Sequence, residues 1–230
     1  MQNDLSTTSI PYKIEQCRCI IFDWDGTVTD SLSDIIQAVH YTAKKLNLPK
    51  ISDNKIRKGI GLGATEQIIS LYGPETDVQT FKSTFEQHYY TNFAKNAQIK
   101  LFPGIEKTIF SLHQKGYTLA IATGKSNKGL ADELSMLNWQ DLFAITCCAE
   151  DYQSKPSPVM IEHIAKVLNF SNEEIIVVGD SHVDLEMANN AKVAGVGVLT
   201  GVSNFETLNR IPHIAILDKA EQLGSILPKL

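Results

Sequence analysis

The stretch that decides the fold is "IIFDWDGTVTDS", Ile20 to Ser31. A β-branched apolar run stops at two aspartates one residue apart, and Gly-Thr follows at once. Five further runs of the same kind follow: "YTLAIAT" (117–123), "FAITCCAE" (143–150), "EIIVVGD" (174–180), "GVGVLTG" (195–201) and "HIAIL" (213–217). Their near-continuous hydrophobicity predicts strands covered on both faces, as in a parallel sheet. Helical spacing lies between most of them. Ile105, Ile109 and Leu112 form one stripe, closed by Gly116 as C-cap. Val159, Ile161, Ile164 and Leu168 form another, with Pro158 suited to a first turn. Strands alternating with helices predict the α/β class: a doubly wound parallel sheet with a Rossmann-like core.

One interval breaks the alternation. The first strand ends near Asp23 and the second at Thr123, roughly a hundred residues on and far more than a crossover needs. Stripes at Ile35, Ile36, Val39 and Ala43, at Ile68, Ile69 and Tyr72, and at Phe81, Phe85 and Tyr89 make this segment helical. The reading is an inserted all-helical cap over 31–94, with a core of 1–30 and 95–230, rejoined near "LFPG" (101–104). The aromatic stripes are assigned to the cap's own core.

Composition narrows the function classes. In 230 residues, 43% hydrophobic and 20% charged content are those of a globular protein. A net charge of −5 gives no general attraction to nucleic acid or an anionic membrane. No apolar run approaches the roughly 20 residues of a membrane span. The opening "MQNDLSTTSIPYKIEQ" lacks the apolar segment of a secretory signal. Cys17, Cys19, Cys147 and Cys148 fall in or beside strands without metal-ligand spacing, and are read as buried reduced thiols of a cytoplasmic protein.

Ligands of an open parallel sheet bind beyond the carboxyl ends of its strands. Four such ends here are polar: Asp23 with Asp25, Thr123 with Gly124, the segment from Asp151 to Lys155, and Asp180 with Asp184. Several carboxylates in one place require a cation or shared protons. Hard oxygen ligands suit Mg²⁺, and the adjoining lysine and threonine complete a receptacle for a phosphoryl group. Asp23 is then the nucleophile of an aspartyl phosphate. Asp25 is the acid and base for the leaving oxygen and the hydrolytic water, and Gly26 permits a tight turn.

"DWDGTVTDS", "ATGK", "KPSP" and "GDSHVDLEMA", in that order, resemble the haloacid dehalogenase-like hydrolases, in their phosphatase branch with a helical cap. The resemblance covers nearly all of the chain from Cys17. It implies Asp23 as nucleophile, Asp25 as general acid/base, Thr123 as phosphate ligand with Gly124 beside it, and Lys155 as the neutralising cation. It also implies Mg²⁺ on Asp23, the main-chain carbonyl of Asp25 and Asp180, with Asp184 a ligand through water or a support for the loop. The acid at Asp25 separates the chain from the dehalogenases, and the absence of D-K-T-G-T from the transport ATPases.

"GTVTDS" and "IRKGIGLGATEQI" (56–68) most resemble phosphoglycolate phosphatases, which makes phosphoglycolate the expected ester. The expected partner is a small phosphorylated metabolite, with the protein a monomer or homodimer. Arg57, Lys58 and Gly61 are candidate substrate contacts from the cap, the two cations for a carboxylate. "GIGLG" (59–63) is read as a cap loop, since no strand precedes it and the dinucleotide fingerprint is incomplete. Lys125 and His182 are each divided between a site role and a surface position. Two rival readings are a phosphosugar mutase, which shares the motifs, and a phosphoryl-accepting receiver module, against which Asp25 and the insertion speak.

Overall fold

A computed structural model describes residues 14–96 and 99–228. Six parallel strands form one sheet: β1 (Cys19–Phe22), β2 (Thr118–Thr123), β3 (Ile145–Cys148), β4 (Ile175–Gly179), β5 (Ala194–Val198) and β6 (Ala215–Leu217). Their order is β3-β2-β1-β4-β5-β6, and each of the six predicted runs supplies one strand. β1 is central, pairing Cys19 with Thr118 on one side and with Ile175 on the other. The order reverses at β1, so a crevice opens at the carboxyl ends of β1 and its neighbours.

The side-chain period of two sends alternate residues of β1 into different cores. Ile20 and Phe22 join a cluster with Leu119, Ile121, Trp139 and Phe143. Helices α5 (Ile105–Gln114) and α6 (Asn127–Leu137) cover that face through Ile105, Ile109, Leu130 and Leu134. Cys19 and Ile21 point the other way, toward Ile161 and Ile164 of α7 (Val159–Leu168) and Met187 of α8 (His182–Asn190). Both faces are therefore dry, which is why the strands read as continuous apolar runs rather than as alternation.

Between β1 and α5 lie α1 (Leu32–Lys45), α2 (Asp53–Gly59), α3 (Ala64–Tyr72) and α4 (Val78–Asn96). They share a third cluster, including Ile36, Val39, Ile56, Ile68, Leu71 and Phe81, separate from the two beneath the sheet. The chain leaves and returns along paired backbone. Thr29 bridges Leu101 antiparallel, Asp30 N–H donates to the Lys100 carbonyl at 2.7 Å, and Phe102 N–H donates to the Val28 carbonyl at 3.1 Å.

Two helix-face readings change. Val159 is exposed, because residues two apart on a helix point to nearly opposite sides and Ile161 faces the sheet. Met160 takes its place in the core. By the same geometry Ile69 is exposed and Leu71, three residues after Ile68, is buried. The expected junction at 94–95 falls inside the last turn of α4, while the reading of the opening segment as lacking a signal lies, up to residue 13, outside the described residues. Among the described residues no helix is long and apolar enough to cross a membrane.

All four cysteines are free and buried. Burial pushes the Cys17, Cys19 and Cys148 thiols up to about 12 and the Cys147 thiol to about 11. Thiolate is the reactive form. The native protein is therefore expected to react with an aromatic disulfide reagent at neutral pH only as fast as it unfolds. All four thiols should titrate at once in denaturant, and rapid native labelling of any of them would contradict this packing.

Candidate active site

The residues singled out at the strand ends converge. Asp23 follows β1, and its N–H continues the ladder by donating to the Val178 carbonyl at 2.9 Å. The Asp23 carboxylate is therefore fixed to the sheet and not to a loose loop. Lys155, from the segment after β3, is fully buried and donates to Asp23 Oδ1 at 2.6 Å and to Asp184 Oδ1 at 2.7 Å. Asp180, just after β4, accepts from Thr27 Oγ1 at 2.8 Å and from the Val202 N–H at 2.8 Å. Gly26, with φ of +89°, lies so close that a Cβ there would sit 2.6 Å from Asp180 Oδ2. Gly26 thus serves the approach of Asp180 as well as the turn.

Asp184 combines two roles. It is the third residue of α8, and its Oδ2 accepts from both the N–H and the hydroxyl of Ser181, the N-cap. That capping box turns Oδ1 toward Lys155. Ser181, and not Asp184, is therefore the N-cap of the helix.

Asp23, Asp180 and Asp184 each offer an oxygen, and these lie within 4.8 Å of one another in a buried setting. Burial first, and then Asp184, raises the Asp180 carboxyl to about 7. Burial also raises Asp23 well above the ordinary carboxylate range, with Lys155 acting in the opposite sense. Burial would lower Lys155, but Asp184 and Asp23 outweigh it and hold the ammonium charged. One ammonium among three buried carboxylates leaves negative charge uncompensated. The donor set, oxygen only and held by neighbouring N–H and O–H groups, fits a hard divalent cation.

Asp25 lies outside that cluster. Its carboxylate accepts from Ser31 Oγ at 2.6 Å and from Lys125 Nζ at 3.1 and 3.2 Å. Lys125 is buried, so the surface alternative fails. It also pairs with Glu133 Oε1 at 2.9 Å and lies 5.2 Å from the centroid of the Tyr89 ring. Glu133 in turn accepts the indole N–H of Trp24 at 2.6 Å through Oε2. A chain Trp24–Glu133–Lys125–Asp25 thus ties both residues after Asp23 to α6. Neither Glu133 nor Ser31 was singled out from the sequence. The available signal was a carboxylate between Leu130 and Leu134 on the apolar face of α6.

A cavity lies over these groups. Asp23, Asp25, Thr123, Gly124 and Lys125 line one end, and residues of α1, α3 and α4 with the Ile60–Leu62 loop line the other. Gly61 is among the lining residues. Arg57 and Lys58 are not, and neither is His182. The cations the cavity does present are Lys82 and Lys125. Phe81, Phe85 and Tyr89 face it, so the third aromatic stripe both packs and lines.

The helical segment touches the sheet at chemically important places. Gly63 N–H donates to Ser154 Oγ at 2.6 Å, beside Lys155. A Cβ on Gly124 would stand 2.2 Å from the Leu62 carbonyl oxygen. Lys82 of α4 pairs with Glu150 at 3.1 Å.

Residues 20–198 match the model of the haloacid dehalogenase-like hydrolase family. The chain belongs to that family. A phosphoglycolate phosphatase of Vibrio vulnificus is 26% identical over 224 residues, covering 93% of this chain and 97% of that protein. Among solved structures, a hydrolase from Pseudomonas syringae superposes with a TM-score of 0.81 at 24% identity, over 91% of this chain and 97% of its own. A Bacteroides vulgatus chain provisionally named a β-phosphoglucomutase superposes at 0.78 with 18% identity, over 93% of this chain and 88% of its own. Hydrolase and mutase names thus share one fold, and the distinction falls to the site.

Three predictions follow from this geometry. A divalent cation is expected to raise the melting temperature of the metal-free protein near neutral pH, and to do so less at about pH 5, where protons compete for the same carboxylates. The sign comes from Asp180. Its raised carboxyl stabilises the metal-free fold below the ordinary carboxylate range, and that contribution is lost as pH rises through about 7. Equal cation shifts at both pH values would contradict it. Gly124→Ala should keep the fold but lower kcat/KM by about tenfold or more, because its methyl meets Leu62 backbone. Glu133→Gln should cost about 1–3 kcal/mol in denaturant unfolding by removing one partner of a buried ion pair.

Proposed function

We propose that this chain is a magnesium-dependent phosphomonoesterase that hydrolyses a small phosphorylated metabolite in the cytoplasm through an aspartyl phosphate. One observation carries the reading. A carboxylate fixed to the central strand shares a buried lysine and a three-carboxylate cluster, and a second carboxylate faces the same cavity from two residues away.

The roles follow from the environments. Asp23 is the nucleophile, attacking phosphorus with the oxygen that Lys155 does not hold. As that bond forms, the bond from phosphorus to the ester oxygen breaks. Asp25, placed by Ser31 and Lys125, gives its proton to the departing oxygen. In the second half, water attacks phosphorus, Asp25 recovers a proton from it, and the bond to Asp23 breaks. The Thr123 hydroxyl and the backbone at Gly124 hold phosphoryl oxygens at the end of β2, and Lys155 balances charge on Asp23 and the phosphoryl group. The carboxylates of Asp23, Asp180 and Asp184, with the main-chain carbonyl of Asp25, would hold Mg²⁺. When bound, the ion neutralises charge on the phosphoryl oxygens. In this reading α1–α4, from 31 to about 94, are a cap that closes over the ester and excludes water.

Phosphoglycolate is the ester that the sequence resemblance and the name of the Vibrio relative supply, and it belongs in the first panel of substrates. A phosphosugar mutase is the second reading, favoured only by the shared fold. The two separate by product: free phosphate for one, an isomerised sugar phosphate for the other.

Multiple-turnover phosphate release that needs Mg²⁺ and stops with a chelator is the expected result. Asp23→Asn should lower kcat by at least about 1,000-fold, and Asp25→Asn by about 100-fold or more. Near-normal turnover of Asp23→Asn would remove the assignment.

A further inference from the structure

The chamber above the two aspartates has a composition that the ester's alcohol half must match. Its far wall is built from Val39, Ile68, Leu71, Phe81 and Phe85, with the ring of Tyr89 toward the aspartates. Phe85 and Tyr89 of this wall stack at 5.4 Å between centroids with 13° between planes. The chamber encloses about 100 Å³. That is smaller than the dry apolar cavity of about 150 Å³ that accepts benzene, so the chamber suits a short branched chain and not a ring.

The two cations of the lining are already engaged. Lys125 lies between Asp25 and Glu133, and Lys82 is paired with Glu150. Glu86 adds a further negative group to the same wall. A substrate carboxylate entering here would meet apolar walls and a carboxylate, or would have to break one of those pairs. Burying an anion without a partner is costly. Arg57 and Lys58, which could have received it, lie outside the lining.

We infer that the alcohol half of the substrate is neutral and compact, a short branched apolar chain, and not a carboxylate-bearing group such as glycolate. The inference rests on the phosphomonoesterase reading and names its substrate class.

The test compares isobutyl phosphate, glycerol phosphate and phosphoglycolate on the full chain with Mg²⁺. All three have alkoxide leaving groups, so differences report the chamber and not leaving-group acidity. The expected kcat/KM for the isobutyl ester exceeds that for phosphoglycolate by about tenfold or more. Phosphoglycolate turned over as well as or better than the isobutyl ester would overturn the inference and leave the phosphatase standing. Binding separates the two failures. Isobutylphosphonate should raise the melting temperature in Mg²⁺ more than phosphonoacetate does. That order would support the chamber's selectivity even if no ester were hydrolysed, and the reverse order would overturn it.

Discussion

The ammonium of Lys155, buried between Asp23 and Asp184, is the constraint on which the rest of the structure depends. Three carboxylates converge in a dry crevice because the strand order reverses at β1 and brings the ends of β1 and β4 side by side. Without a buried cation the cluster would be repulsive at neutral pH. Desolvating two charges offsets much of their attraction, so such a bridge adds little net stability, while loss of one partner strands the other. Its value lies in position: it fixes Asp23 against the end of the ladder and Asp184 against the start of α8.

A second lysine organises the other aspartate of the opening stretch. Lys125 holds Asp25 and is itself held by Glu133, which also receives Trp24. The two aspartates therefore sit in different surroundings although one residue separates them. Asp23 belongs to the sheet and the three-carboxylate cluster. Asp25 belongs to a half-buried rim with Ser31, beside the cavity. In the proposed function that difference gives one carboxylate to nucleophilic attack and the other to proton transfer.

Much of this was legible in the sequence because a two-faced sheet leaves a strong mark. All six strands stood out as apolar runs, and the polar residues closing them are the ones that meet. Helix faces were less legible. Val159 and Ile69 are apolar yet exposed, and periodicity over so few residues does not separate a facing row from its neighbour. Long-range partners were least legible. Glu133 lies 109 residues from Trp24, and nothing local announces that pairing. Arg57 and Lys58 looked suited to grip a substrate because they precede a glycine-rich loop. The loop does reach the site through Gly61, but the turn of α2 leaves both cations out of the cavity lining.

The central claim is that Asp23 becomes covalently phosphorylated, and chemical trapping tests it most directly. Enzyme turning over an ester with Mg²⁺ would be quenched and reduced with borohydride, which converts an aspartyl phosphate to homoserine, and then digested for peptide mass analysis. The account predicts homoserine at position 23, dependent on substrate and absent from Asp23→Asn. Homoserine at position 25 or 180, or none despite sustained phosphate release, would contradict it.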